Sequence, residues 1–375
     1  MRLMVIFGTR PELIKLAPVI AEARKRTQEI DLITCSTGQH KEMLEQAMKV
    51  FDITPDEDLA LMQPNQTLSE LTAKLLMGLD VIFRKHCPDV VVVQGDTSTA
   101  FVAALAAYYQ RIPIAHVEAG LRTGDLYSPF PEEGNRLLIA RLAKWHFPPT
   151  QQAAEKLLSE GVATEQIQVT GNTVVDAIEM IKKKWKCKPY SGEASNLFPG
   201  RKIGLITTHR RENFGEGLEH ICSAIRKLCL NHSELGFVFP VHLNPNVREV
   251  VYGRLADLEN LQMISPVDFE TSLYLQSRSC LILTDSGGIQ EESPSFGVPC
   301  VVMREHTERA EGILAGFAQL AGTDSLNIIA LSEDILLQNR CENLHSKPNP
   351  YGDGLSASRI VDRLVRDVSP SIGDD

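Results

Sequence analysis

Residues 115–136 read AHVEAGLRTGDLYSPFPEEGNR, and the short apolar run 114–117 leads into them. An apolar run of that length breaking into a polar segment rich in Gly and Pro reads as a buried strand that delivers a loop. The loop carries the carboxylates Glu118, Asp125, Glu132 and Glu133 with Arg122 and Arg136, more charge than folding alone asks of a connection. In an open parallel sheet, ligands bind beyond the carboxyl ends of the strands. Glu118, directly after His116 and Val117, is therefore a candidate for chemistry. Pro131, Glu132 and Glu133 fit the first turn of a helix, because proline suits the first position and acids the positive end of the dipole. The same fit allows Glu132 a purely stabilising role.

Outward from this stretch, apolar runs of three to six residues alternate with longer amphipathic segments, the pattern of strand and helix units around a parallel sheet. In the first half, strands are expected at 3–7, 30–35, 90–93, 114–117, 145–147 and 167–169, and helices at 12–26, 67–85, 97–109 and 151–160. The second half starts over with strands at 203–207, 237–239, 261–264, 281–284 and 301–303, and helices at 218–230, 247–255, 273–277 and 289–295. Between them, residues 188–200 (KPYSGEASNLFPG) have the Pro, Gly and Ser content of a linker. The fold class is α/β, with two Rossmann-like domains facing across a cleft. The expected division is 1–172, a first such domain; 173–200, a connecting helix and linker; 201–354, a second; and 355–375, a closing helix and tail.

A chain of 375 residues is long enough for two cores. Its 48 acids against 38 bases, a net charge of −10, argue against a nucleic-acid surface. The run Lys182, Lys183, Lys184, Lys186 and Lys188 reads as a solvated helical face. The eight cysteines form no Cys-x-x-Cys pair and read as free thiols of a reducing compartment. The ten histidines lack ligand spacing, so no metal site is expected. No dinucleotide fingerprint marks a bound nicotinamide. Neither a signal-peptide pattern nor an apolar stretch of spanning length is present, which makes the cytoplasm the expected location, without a membrane partner.

Further loops follow other strands. Gly8-Thr9-Arg10-Pro11-Glu12 opens the first helix, with Lys15 one turn on; a glycine turn there offers backbone N–H groups to a phosphate, and Arg10 adds a charged donor. Gln94-Gly95-Asp96-Thr97 repeats the arrangement. Asp96 fits an N-cap, but it also ends the strand next in sequence to the one delivering Glu118. Neighbouring carboxylates raise at least one pKa, so one residue type can serve as both acid and base. In the second half, His209 stands between Thr208 and Arg210 after a strand, a position that suits a diphosphate contact and equally an ordinary surface loop, and His242 holds the same position after the next. Asp285-Ser286-Gly287-Gly288-Ile289-Gln290-Glu291-Glu292 offers N–H groups to a pyrophosphate and an acid to ribose hydroxyls; a tightened turn with a capping serine explains the glycines but not the acids. Arg304, His306 and Arg309 follow the next strand. Carboxylates from one half and phosphate and ribose groups from the other favour a nucleotide-sugar enzyme.

With these residues in hand the chain resembles the non-hydrolysing UDP-N-acetylglucosamine 2-epimerases of the glycosyltransferase-B-like superfamily over nearly its whole length. The resemblance rests on FGTRPELIKLAPVI, GQHKEML, QGDTST, HVEAGLRTGDLYSPFPEEGNR, TGNTVVDA, THRRENFGEG, PVHLNPNVRE, LTDSGGIQEE, TERAE and NPYGDG. It implies reversible inversion at C2 of the sugar through 2-acetamidoglucal and UDP, without a redox cofactor, serving cell-surface polysaccharide supply. It also implies roles: Asp96, Glu118 and Glu132 as acid and base, and His209 at the departing diphosphate. Arg10, Lys15, Arg136, His242, Ser286, Gly287, Gly288 and Glu292 would bind substrate. Homodimers are implied too, as is activation by substrate bound beside the active site, with Gln39, Arg210 and His242 as candidates. The chain departs from many members in having Gln94 where they have His, His306 to Glu311 where they have Thr-Thr-Glu-Arg-Pro-Glu, and Ser272 where they have an aromatic residue.

Overall fold

Val90, Val91, Val92 and Val93 are all wholly buried, as a strand must be when helices cover both faces of its sheet. They lie at the centre of the first of two sheets in a computed structural model that describes residues 1–368 except 39, 40, 62, 64, 65, 211, 212 and 214. The chain divides into two units, Met1–Met180 with the segment from Gly352 onward, and Ile181–Tyr351.

The first unit runs β1 (Arg2–Phe7), α1 (Arg10–Arg24), β2 (Asp31–Ser36), α2 (Lys41–Phe51), β3 (Glu57–Asp58), α3 (Leu68–His86), β4 (Val90–Gln94), α4 (Ser98–Tyr109), β5 (Ile114–Val117), α5 (Glu132–Leu142), β6 (Trp145–Phe147), α6 (Gln151–Ser159) and α7 (Thr173–Cys187), within which the division falls. Its strands are parallel, in the order β3-β2-β1-β4-β5-β6. Ile6, Val91 and Val93 pack with Leu79 and Phe83 of α3 and Ala103 of α4.

The second unit runs β7 (Ile203–Thr207), α8 (Glu216–Asn231), β8 (Gly236–Pro240), α9 (Pro245–Leu255), β9 (Leu261–Ile264), α10 (Phe269–Arg278), β10 (Ser279–Thr284), α11 (Gly287–Glu292), β11 (Cys300–Val302), α12 (Ala310–Leu314), β12 (Ala318–Leu320), α13 (Ser325–Leu337) and α14 (Arg340–Leu344). Read from β9, its parallel order β9-β8-β7-β10-β11-β12 repeats the first sheet's pattern. Both are Rossmann-like sheets with a switch point between the first and fourth strands, where such folds bind ligands. The final helix, α15 (Ser356–Val368), belongs to the first unit. Its Ala357 N–H donates to Asp176 at 2.9 Å, its Asp367 accepts from Trp145 Nε1 at 2.9 Å, and Ile360, Val361 and Leu364 are fully buried.

One expected strand is absent. Residues 167–169 make only an isolated bridge, Ile167 to His146, because a single pairing next to an edge strand does not propagate into a ladder.

Candidate active site

In the first unit the switch point lies between β1 and β4. Thr9 caps α1 in a capping box with Glu12. Glu12 is 1% exposed; its Oε2 accepts from Gly8 N–H at 3.0 Å, Thr9 N–H at 2.7 Å and the Thr9 hydroxyl at 2.8 Å, and its Oε1 accepts from the Thr97 hydroxyl at 2.6 Å. The Gly8 and Thr9 amides expected to face a phosphate are thus taken by an internal carboxylate. Burial pushes Glu12 above the usual carboxylate range, and these donors oppose it. Gly8 is required by close approach, since a Cβ there would come within 2.3 Å of Thr37 and Thr99 hydroxyls. Arg10 opens α1 half-buried, with no ion pair among the described residues.

Beyond β4 the cap of α4 is Thr97, which accepts from Ala100 N–H at 3.0 Å. Asp96 is therefore not the N-cap its sequence position allows. Its carboxylate instead receives Arg136, through Nε at 3.1 Å and more closely through Nη2. Arg136 Nη1 also donates to Glu133 at 3.1 Å, and Glu133, 1% exposed, accepts from the backbone N–H groups of Thr123 and Gly124. Arg136 thus ties Asp96 to the loop after β5. The turn itself is fixed by Asn135, which donates to the Asp96 carbonyl at 2.8 Å, and by His116 Nε2, 2.7 Å from the Gly95 carbonyl. A carbonyl only accepts, so Nε2 carries the proton there. Burial pushes His116 down to about 3, so the ring is neutral at physiological pH.

Glu118 follows β5 with φ at 62°, a conformation uncommon for a side chain other than glycine. Its side chain is 9% exposed; Lys15 of α1 reaches Oε1 and the Gln94 amide reaches Oε2. Gln94 and Val117 are register partners on neighbouring strands, so Asp96 and Glu118 leave adjacent strand ends. The loop beyond is anchored by Arg122, bidentate to Glu160 at 2.7 and 2.8 Å. It includes cis peptides at Ser128–Pro129 and Phe130–Pro131. α5 starts one residue later than the sequence places it, with Pro131 as its N-cap rather than its first residue. Glu132 Oε2 is buried without a hydrogen-bond partner.

In the second unit the switch point lies between β7 and β10. Asp285, 0% exposed, accepts from the Thr208 hydroxyl at 2.8 Å, His209 N–H at 3.0 Å, Arg210 N–H at 2.9 Å and Asn213 Nδ2 at 3.1 Å. His209 Nδ1 lies 3.1 Å from the same carboxylate, while its side chain is 45% exposed. Burial pushes Asp285 up, but His209 and the backbone donors outweigh it and hold the carboxyl below its usual range.

Ser286 N–H is taken by the Thr284 hydroxyl at 3.0 Å, and the Ser286 hydroxyl makes no capping bond to α11. The capping-serine reading therefore fails, and of the three amides expected for a pyrophosphate that of Ser286 is already engaged. Arg309 lies 3.0 Å from the position of a Gly287 Cβ and pairs with Glu291 at 3.0 Å. Glu292 accepts from Gln276 at 2.6 Å. His242 is exposed and accepts from Asn244 N–H at 3.2 Å, and Arg210 Nε is buried without a hydrogen-bond partner. Gln39 lies outside the described residues.

Glu12 and Asn135 were not expected at the site, and Glu133 was counted among the loop's carboxylates without a role of its own. Glu12 carried a legible signal, since Thr9-x-x-Glu12 is a capping-box pattern; Glu133 and Asn135 act on a loop and turn that only the tertiary fold brings near. Among the described residues no cluster of three or more His, Cys, Asp or Glu is placed to hold a metal, and no helix is long and apolar enough to cross a membrane.

Two Rossmann-like units with carboxylates and loop donors beyond their strands place the chain in the glycosyltransferase-B-like fold class. A family profile described as UDP-N-acetylglucosamine 2-epimerase matches residues 22–365. The chain is 47% identical to the UDP-N-acetylglucosamine 2-epimerase of Salmonella typhimurium, over 97% of this chain and 98% of that one. It resembles the crystal structure of UDP-GlcNAc 2-epimerase from Neisseria meningitidis bound to UDP-GlcNAc, with a TM-score of 0.90, 44% identity, and 98% and 100% of the two chains covered. The enzyme from Methanocaldococcus jannaschii in complex with UDP-GlcNAc and UDP matches with a TM-score of 0.82, 34% identity, and 98% and 100% coverage. The chain belongs to the UDP-N-acetylglucosamine 2-epimerase family.

Proposed function

We propose that the chain interconverts UDP-N-acetylglucosamine and UDP-N-acetylmannosamine without hydrolysis, by elimination and re-addition of UDP. A carboxylate removes the C2 proton, the C2–H electron pair becomes the C1–C2 double bond of 2-acetamidoglucal, and the C1–O bond breaks with its electrons leaving on UDP. Protonation of C2 from the opposite face and return of the UDP oxygen to C1 complete the inversion. The observation that carries this reading is the pair of carboxylates, Asp96 and Glu118, leaving the adjacent strands β4 and β5, where Gln94 and Val117 are in register.

Asp96, Glu118 and Glu132 serve as acid and base, and His209, oriented by Asp285, assists at the departing diphosphate. Arg10, Ser286, Gly287, Gly288 and Glu292 bind UDP, Glu292 through the ribose, with His242 at the substrate. Lys15 and Arg136 act through the carboxylates they pair with. The reaction serves polysaccharide precursor supply in the cytoplasm. The chain also works as a homodimer, a reading supported by exposed Met77 and Val81 on α3 and exposed Tyr108 and Tyr109 on α4; sedimentation of a monomer at micromolar concentration would remove it.

The deciding experiment is incubation with UDP-N-acetylglucosamine in deuterated water, followed by proton and phosphorus NMR. UDP-N-acetylmannosamine bearing deuterium at C2 is expected. Free N-acetylmannosamine with UDP would instead make the chain a hydrolysing enzyme, and no change would point to a different nucleotide sugar.

A further inference from the structure

We propose that Gln94 is a positioning residue, whose side-chain amide holds the Glu118 carboxylate in place for proton transfer; this rests on the epimerase reading. Gln94 ends β4 and is 4% exposed, so its amide has little access to water and needs an internal partner. That partner is Glu118 Oε2, while Lys15 engages Oε1. The carboxylate is gripped on both oxygens from two different elements, β4 and α1. Its own backbone, with φ at 62°, orients the side chain in a conformation that needs such support.

The choice of an amide has a chemical consequence. An amide N–H donates but does not titrate near neutrality, so Gln94 fixes Oε2 without competing for the proton that Glu118 moves. An imidazole here would also donate, but it would gain and lose a proton between about pH 5 and 8. Gln94 thus separates the geometry of Glu118 from its protonation.

The test compares the wild-type chain with Gln94→Leu and Gln94→His, using turnover of UDP-N-acetylglucosamine and deuterium exchange at C2 across pH 5.5 to about 9. Gln94→Leu takes this donor away from a nearly buried carboxylate, and kcat is expected to fall roughly tenfold to a hundredfold with KM changed less than about threefold. Gln94→His, a donor again, is expected to recover most of the rate and to add an ionisation to the kcat profile that the wild type lacks. Wild-type kcat in Gln94→Leu would overturn the assignment. So would equal losses in both variants with an unchanged pH profile, the mark of a merely structural role. A wild-type chain that neither epimerises nor exchanges would overturn the epimerase reading first, and this assignment with it, before any variant is compared.

Discussion

Glu118 and Asp96 carry the same functional group in different surroundings. Glu118 is gripped by an ammonium and an amide, Asp96 by a guanidinium that Glu133 shares. Replacing either carboxylate with its amide, Glu118→Gln or Asp96→Asn, is expected to lower turnover roughly a hundredfold or more, as for removal of a positioned acid or base. UDP affinity, measured by calorimetry, should persist; a wild-type rate in either variant would remove that residue from proton transfer. Glu292→Ala should instead weaken UDP binding, and unchanged affinity would end its ribose role. The carboxylates were legible in the sequence because they directly follow apolar runs. Their partners were not: Arg136 lies 40 residues beyond Asp96, and Lys15 lies 103 residues before Glu118.

At the scale of elements, caps and bridges decide where strand ends and helices lie. Thr97 both caps α4 and donates to Glu12 of α1, so it joins the two loops at the first switch point. Thr97→Ala should cost about 1–2 kcal/mol in urea unfolding, the usual range for losing a strong cap; a smaller loss would mean that Glu12 finds another donor. In the second unit His232, at the end of α8, contacts Glu234 at 3.0 Å and Glu333 of α13 at 2.9 Å. Burial pushes its pKa down, but the two carboxylates outweigh this and hold it above the ordinary histidine value. A raised folded-state pKa gives stability that is full below the unfolded value, near 6.5, and is lost as pH rises through the folded one. Melting curves of wild type and His232→Gln should therefore differ most below about pH 6 and converge at alkaline pH. A gap that is constant or widens with pH would show that the bridge is not ionic.

For the whole molecule, the return of α15 to the first unit means that a helix near the end of the chain completes the core begun by β1. Ending the chain at Leu355 would uncover the sites of Ile360, Val361 and Leu364 and remove the Asp367 partner of Trp145. The first unit is expected to melt several degrees lower, given about 1.5–3 kcal/mol for each large apolar side chain buried. Trp145 lies in that unit and Trp185 in the other, so Trp145 fluorescence in a Trp185→Phe background would follow the first unit. An unchanged transition would show α15 to be a passive cover.

The sequence by itself determined the class of fold, the carboxylates that follow short strands and the presence of a helix start beside Pro131, because apolar periodicity, turn residues and acids after short strands are local signals. It was silent on the strand order that sets both switch points, on the unit to which α15 returns, and on the bonds that hold each carboxylate. Those bonds also redirected local expectations: Thr97 rather than Asp96 caps α4, Glu12 takes the amides of the first loop, and residues 167–169 pair only once. Each depends on which groups compete for one donor or acceptor once the chain has folded, and that competition is settled by distance in space rather than by position along the chain.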